Sequence, residues 1–185
     1  MKRIILGLAL LTACGDNTLG PPIVYTDPSG GALRLVGDPA TTSHEIVLDL
    51  VVGDQTLTGF SVGFDLPLDV TKVKLAGFTP GAALDPGPAP LAAQAAMPTT
   101  GPLASLLVTG QSEKASRPGA ADTLLAPGTV LYTITLDLID GASPGLVFDG
   151  TVTGFRLPSG GLRNRAGLTI VEPKNVAIGK LEVMR

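Results

Sequence analysis

The feature that most constrains this chain is a strict alternation of apolar and polar side chains, in runs too short for helices and bounded by glycine and proline. Successive side chains of a strand point to opposite faces, so a period of two sends one set to a core and the other outward. In Glu45–Val52, Ile46, Leu48, Leu50 and Val52 share one face, while Glu45 and Asp49 share the other. Thr129–Ile139, opened by Gly128, sets Val130, Tyr132, Ile134, Leu136 and Leu138 against Thr133, Thr135 and Asp137, and its β-branched residues favour a strand. Phe60, Val62, Phe64 and Leu66 alternate with Gly59, Ser61, Gly63 and Asp65, so one face reads as core and the other as nearly bare backbone.

Shorter extended runs are expected at Val73–Leu75, Leu103–Thr109, Leu146–Phe148, Thr151–Leu157, Leu168–Val171 and Val176–Val183, separated by Gly, Pro, Asn and Ser turns. No segment reads as a long amphipathic helix. The pattern predicts an all-β, antiparallel two-sheet β-sandwich of about eight or nine strands, a jelly roll in preference to a closed barrel. Between Pro80 and Pro102 the chain carries six prolines, too many for a central strand. Ala89–Met97 has the Ala, Leu and Gln content for one or two helical turns inside that excursion, which reads as a functional or a covering loop.

The first residues carry a different signal. Met1-Lys2-Arg3 precede the apolar run Ile4–Leu11 and the small-residue site Thr12-Ala13-Cys14, the layout of an export signal. The run is far shorter than the roughly 20 residues of a transmembrane helix. Leu11-Thr12-Ala13-Cys14 resembles a bacterial lipobox, which implies a signal peptide over 1–13 and lipidation of Cys14, the one cysteine of the chain. Gly15 rather than Asp follows that cysteine, which favours the outer membrane or cell surface over inner-membrane retention. Residues 14–31 then read as the lipidated cysteine and a flexible tether with at most one short strand, and 32–185 as the folded domain.

Removing Lys2 and Arg3 from the 13 basic residues leaves 11 against 16 acidic ones, a mature charge of about −5 that argues against nucleic acid. A domain without cysteine has no disulfide and depends on packing. The absence of Trp and the presence of two Tyr, with Tyr132 inward, leave little for stacking on sugars, so carbohydrate is disfavoured.

Gly59-Phe60-Ser61-Val62-Gly63-Phe64-Asp65-Leu66, then Leu75-Ala76-Gly77-Phe78-Thr79-Pro80-Gly81, resemble the early strands of cohesin domains, and Gly128–Leu136 resembles a later cohesin strand. The likeness spans residues 32–185 and departs from the pattern at Leu66-Pro67-Leu68-Asp69, where cohesins usually carry an aromatic-Asp-Pro step. It implies a nine-stranded jelly roll that holds a protein module on one flat sheet face.

Chemistry finds few residues to work with. The one imidazole, His44, adjoins Ser43 at a strand edge, where neighbours should face opposite ways and form no catalytic pair. One His and one lipidated Cys cannot supply a zinc site. Asp65 with Asp69, and Asp137 with Asp140, are the nearest carboxylate pairs and read as solvated loop-edge groups, and replacing Asp65 and Asp69 is expected to leave folding and binding intact. Calcium is possible through turn aspartates, but no EF-hand spacing occurs and no cofactor is expected. Arg156, Arg163, Asn164 and Arg165 read as a hairpin tip. The row Gly59, Ser61 and Gly63 permits close approach and is the candidate partner-binding strand, with packing under residues 80–102 as the alternative. The expectation is a lipid-anchored, non-catalytic binding or structural module of the cell envelope. A carboxylate- or calcium-dependent hydrolase and a structural lipoprotein without a discrete ligand are the alternatives.

Overall fold

A computed structural model describes residues 23–84, 93–112, 121–150 and 160–184. Numbered in chain order, β1 is Ile23–Thr26, β2 Leu33–Gly37, β3 Glu45–Val52, β4 Leu57–Gly59 and β5 Ser61–Pro67. Next come β6 Val73–Pro80, β7 Ala93–Ala96, β8 Leu106–Ser112, β9 Thr123–Leu125 and β10 Val130–Leu138. The last five are β11 Gly145–Asp149, β12 Gly161–Arg163, β13 Thr169–Val171, β14 Val176–Ile178 and β15 Lys180–Val183. Two 3₁₀ turns, Ala82–Leu84 and Pro173–Asn175, are the helical elements among the described residues.

The protein is all-β and sandwich-like. One five-stranded sheet runs β14-β2-β3-β10-β6 and the other β13-β12-β5-β8-β7, flanked by a three-stranded sheet β1-β15-β11 and a ribbon β4-β9. The alternation read from the sequence explains the core: Ile46, Leu48, Leu50 and Val52 of β3 face Val62, Phe64 and Leu66 of β5 in one cluster with Tyr132, Ile134 and Leu136 of β10. Tyr132 lies 6.2 Å from Phe64 and 5.1 Å from Phe78, ring centre to ring centre. Its buried hydroxyl shares a hydrogen bond with Thr109 Oγ1 at 2.7 Å, and Thr109 also donates to the Phe64 carbonyl. Gln111, buried on β8, donates to the Gly81 and Leu84 carbonyls and so ties the first 3₁₀ turn to the core.

Several expectations need correction. Fifteen short strands replace the expected eight or nine, because continuous apolar runs are divided between sheets. Val176–Val183, for example, splits at Gly179 into β14, paired with β2, and β15, paired with β1 and β11. The β14–β2 pairing is parallel, so the architecture is not purely antiparallel. Ala93–Ala96, expected within a helical turn, forms strand β7, since the open edge of β8 supplies the backbone partners that a four-residue helix would lack. Residues 89–92 and the expected strand 151–157 lie outside the described residues. The folded domain takes in β1, placed in the tether by sequence: Ile23 is buried and β1 pairs with β15 over its whole length.

Tyr132→Phe should lower stability by about 1–2 kcal/mol, the cost of depriving Thr109 of one buried partner. Tyr132→Ala should cost about 3–5 kcal/mol through the cavity it leaves. Urea unfolding of the two variants beside the wild type measures both; equal effects would mean that the hydroxyl, not the ring, dominates.

Candidate functional site

The glycine row is the first place to look. β4 and β5 break at Phe60, whose backbone N–H donates to the Arg163 carbonyl instead of continuing either ladder. The break turns Gly59 inward: it is buried, and a Cβ there would stand 2.4 Å from Leu162 Cδ1. Gly63 is buried as well, and its Cβ would stand 2.4 Å from the Thr109 carbonyl oxygen on the neighbouring strand β8. Ser61 is half-buried. The three positions therefore do not make one open row, and bare backbone serves close packing at both glycines.

Ser43 and His44 differ from expectation. They sit in a bend before β3, not on the strand, so the rule of opposite faces does not apply and Ser43 Oγ lies 2.9 Å from His44 Nδ1. Both are exposed, and among the described residues no carboxylate bonds the ring. A nucleophile needs its base oriented by a third group and donors for an oxyanion, so the contact by itself is not a catalytic centre. His44 lines an open cleft of about 640 Å³ with Glu45, Lys74, Asp137 and Asp140.

The carboxylates carry structural duties. Asp65 on β5 is buried rather than solvated. Asp69 closes the turn after β5, accepting from Lys72 Nζ at 2.8 Å, from Thr71 Oγ1 at 2.6 Å and from the Thr71 backbone at 2.9 Å. These bonds, the lysine first, hold its carboxyl down to about 2. Asp65 is thus not a solvated loop-edge group, and Asp69 is tied into its turn. Asp137 lies 3.6 Å from Lys74, and Asp140 is exposed in the following turn. No group of three His, Cys, Asp or Glu side chains able to hold a metal occurs among the described residues. Arg163, Asn164 and Arg165 do belong to a hairpin, between β12 and β13, and Asp122 accepts from the Arg165 backbone N–H. Cys14 and Arg156 lie outside the described residues.

A surface that single-strand reading missed is the outer face of the β14-β2-β3-β10-β6 sheet. Register aligns Val36, Asp49, Thr133 and Thr79 in one row across four strands, and Val47, Thr135 and Gly77 in the next. Glu45, Asp137 and Lys74 form a third row. Side chains are short in the first two rows, where Val47 is itself buried, while Glu45 and Lys74 of the third row and Arg34, level with Val51, are long. Thr133 Oγ1 donates to Asp49, whose half-buried carboxyl is raised above its ordinary value by desolvation, against that hydrogen bond. The sequence signal was present as the outward set Asp49, Thr133 and Thr135, but cross-strand register is needed to join it. No family model, curated protein or solved structure matches the chain.

A depressed carboxyl favours the folded state only while ionised, so the Asp69 contribution is complete above the ordinary carboxylate range and drains as pH falls from about 4 to about 2. Asp69→Asn should reduce stability at neutral pH and flatten that acid slope. Urea midpoints of both proteins between pH 7 and about 2 test this; parallel curves would show that Asp69 is not the titrating group.

Proposed function

We propose that this chain is a lipid-anchored, non-catalytic module of the cell envelope, with a cohesin-like jelly roll that presents a sheet face to a protein partner. The observation that carries the reading is the outer face of β14-β2-β3-β10-β6, where Val36, Asp49, Thr133 and Thr79 align in register across four strands and Val47, Thr135 and Gly77 across three. The shortage of aromatic platforms favours protein over carbohydrate as the occupant. The burial of Asp65 and the turn bonds of Asp69 leave the hydrolase alternative, which drew on those two carboxylates, the less favoured reading.

The anchor part rests on Leu11-Thr12-Ala13-Cys14, with export to the outer membrane or cell surface as the destination. Acyl chains at Cys14 would each add about 0.8 kcal/mol per buried methylene, so two or three hold a protein at a membrane without a spanning helix.

Intact mass of protein purified from bacterial membranes should give a chain that begins at acylated Cys14, and Cys14→Ser should abolish that mass. Pull-down from envelope extracts should then retain a saturable partner, weakened about tenfold or more by Thr135→Arg and by Val36→Arg. Undiminished capture would remove this face from the contact. Absence of any saturable partner would favour a structural lipoprotein without a discrete ligand.

A further inference from the structure

The three-stranded sheet β1-β15-β11 presents two unlike faces. Inward, Tyr25, Leu181 and Phe148 form one cross-strand row and Ile23 and Val183 another, all packed in or against the core. Outward, Val24, Glu182 and Leu146 form a row, and exposed Met184 follows directly after the end of β15. Val24 is 43% exposed, Leu146 45% and Met184 45%. Glu182 within this row is paired at 2.8 Å with Lys180, so its charge is compensated on the same face. The next outward row, Thr26, Lys180 and Asp149, is polar. The sheet thus grades from an apolar end to a polar end.

The direction of that gradient carries the inference. β1 begins at Ile23, so the chain from Cys14 enters the sheet at its apolar end. Nine steps of chain separate Cys14 from Ile23. Fully extended they span at most about 30 Å. A tether this short holds the sheet near the lipid at an effective concentration of order millimolar. A small patch too weak to seek a membrane from solution can dock there.

Resting on the lipid-anchor reading above, we propose that the outer face of β1-β15-β11 lies on the bilayer surface, with Val24, Leu146 and Met184 inserted among the headgroups. Lys180 stays paired with Glu182 in the docked state, so the one carboxylate of the inserted row is not left alone among the headgroups.

The chain has no Trp, so one introduced indole reports its own surroundings. Leu146→Trp and, as the comparison, Leu124→Trp on the β4-β9 ribbon, where Leu124 is 74% exposed, would each be purified from bacterial membranes. Both would be reconstituted in phosphatidylcholine–phosphatidylglycerol vesicles with brominated acyl chains. The expected result is blue-shifted, strongly quenched emission from Leu146→Trp and unquenched emission from Leu124→Trp. Adding Val24→Ser and Met184→Ser to Leu146→Trp should relieve most of the quenching. Unquenched Leu146→Trp in protein whose mass shows acylated Cys14 would overturn the docking and leave the anchor standing; equal quenching of both indoles would overturn the choice of face. A chain without acyl mass would end both proposals.

Discussion

The rest of the structure depends on one apolar core shared by two five-stranded sheets and centred on Tyr132. A domain whose sequence after Cys14 has no cysteine cannot be cross-linked, so the core must hold the sheets together by packing. Tyr132 supplies much of the contact, lying against Phe64 from the opposite sheet and Phe78 from its own. A buried phenol would cost free energy without a partner, and Thr109 provides one from β8 across the core. Burial raises the phenol above its ordinary value, so it stays protonated. That hydrogen bond also fixes which part of one sheet faces which part of the other, something apolar contact alone does weakly.

The long alternating runs were legible because each carries its own evidence: Ile46, Leu48, Leu50 and Val52, or Tyr132, Ile134 and Leu136, define a buried face without any knowledge of partners. β4, β7, β9 and β12 were not, since three or four residues such as Gly161–Arg163 contain less than two full alternations. What makes them strands is a neighbour: Leu57–Gly59 extends because Thr123–Leu125 pairs with it. The same cause hid the fate of the glycine row. Gly59, Ser61 and Gly63 share a face only if the strand continues through Phe60, and it does not. The bend at Ser43 and His44 likewise escaped a rule that holds only for extended backbone.

Several polar side chains among the described residues bond within the fold. Asp69 locks a turn, Thr41 Oγ1 donates to the Val47 carbonyl and accepts from the Val47 amide, and Gln111 spans two carbonyls of a 3₁₀ turn. Each replaces a water partner lost on folding, and each fixes a loop that would otherwise move.

Tyr25 connects the two proposed surfaces. Its hydroxyl donates to the Leu35 carbonyl at 2.7 Å and accepts from the Gly179 amide at 2.8 Å, while its ring packs 6.0 Å from Phe148. The three-stranded sheet is thereby bonded to β2 of the sheet that carries the proposed partner face. Swinging one sheet against the other would break the hydrogen bond to Leu35 in a partly buried site, at about 1 kcal/mol. A protein held only by its tether could turn freely beneath its anchor. With β1-β15-β11 docked as proposed, Tyr25 would pass that orientation on to β2, so the partner face would be held at a set angle to the membrane as well as within a set distance.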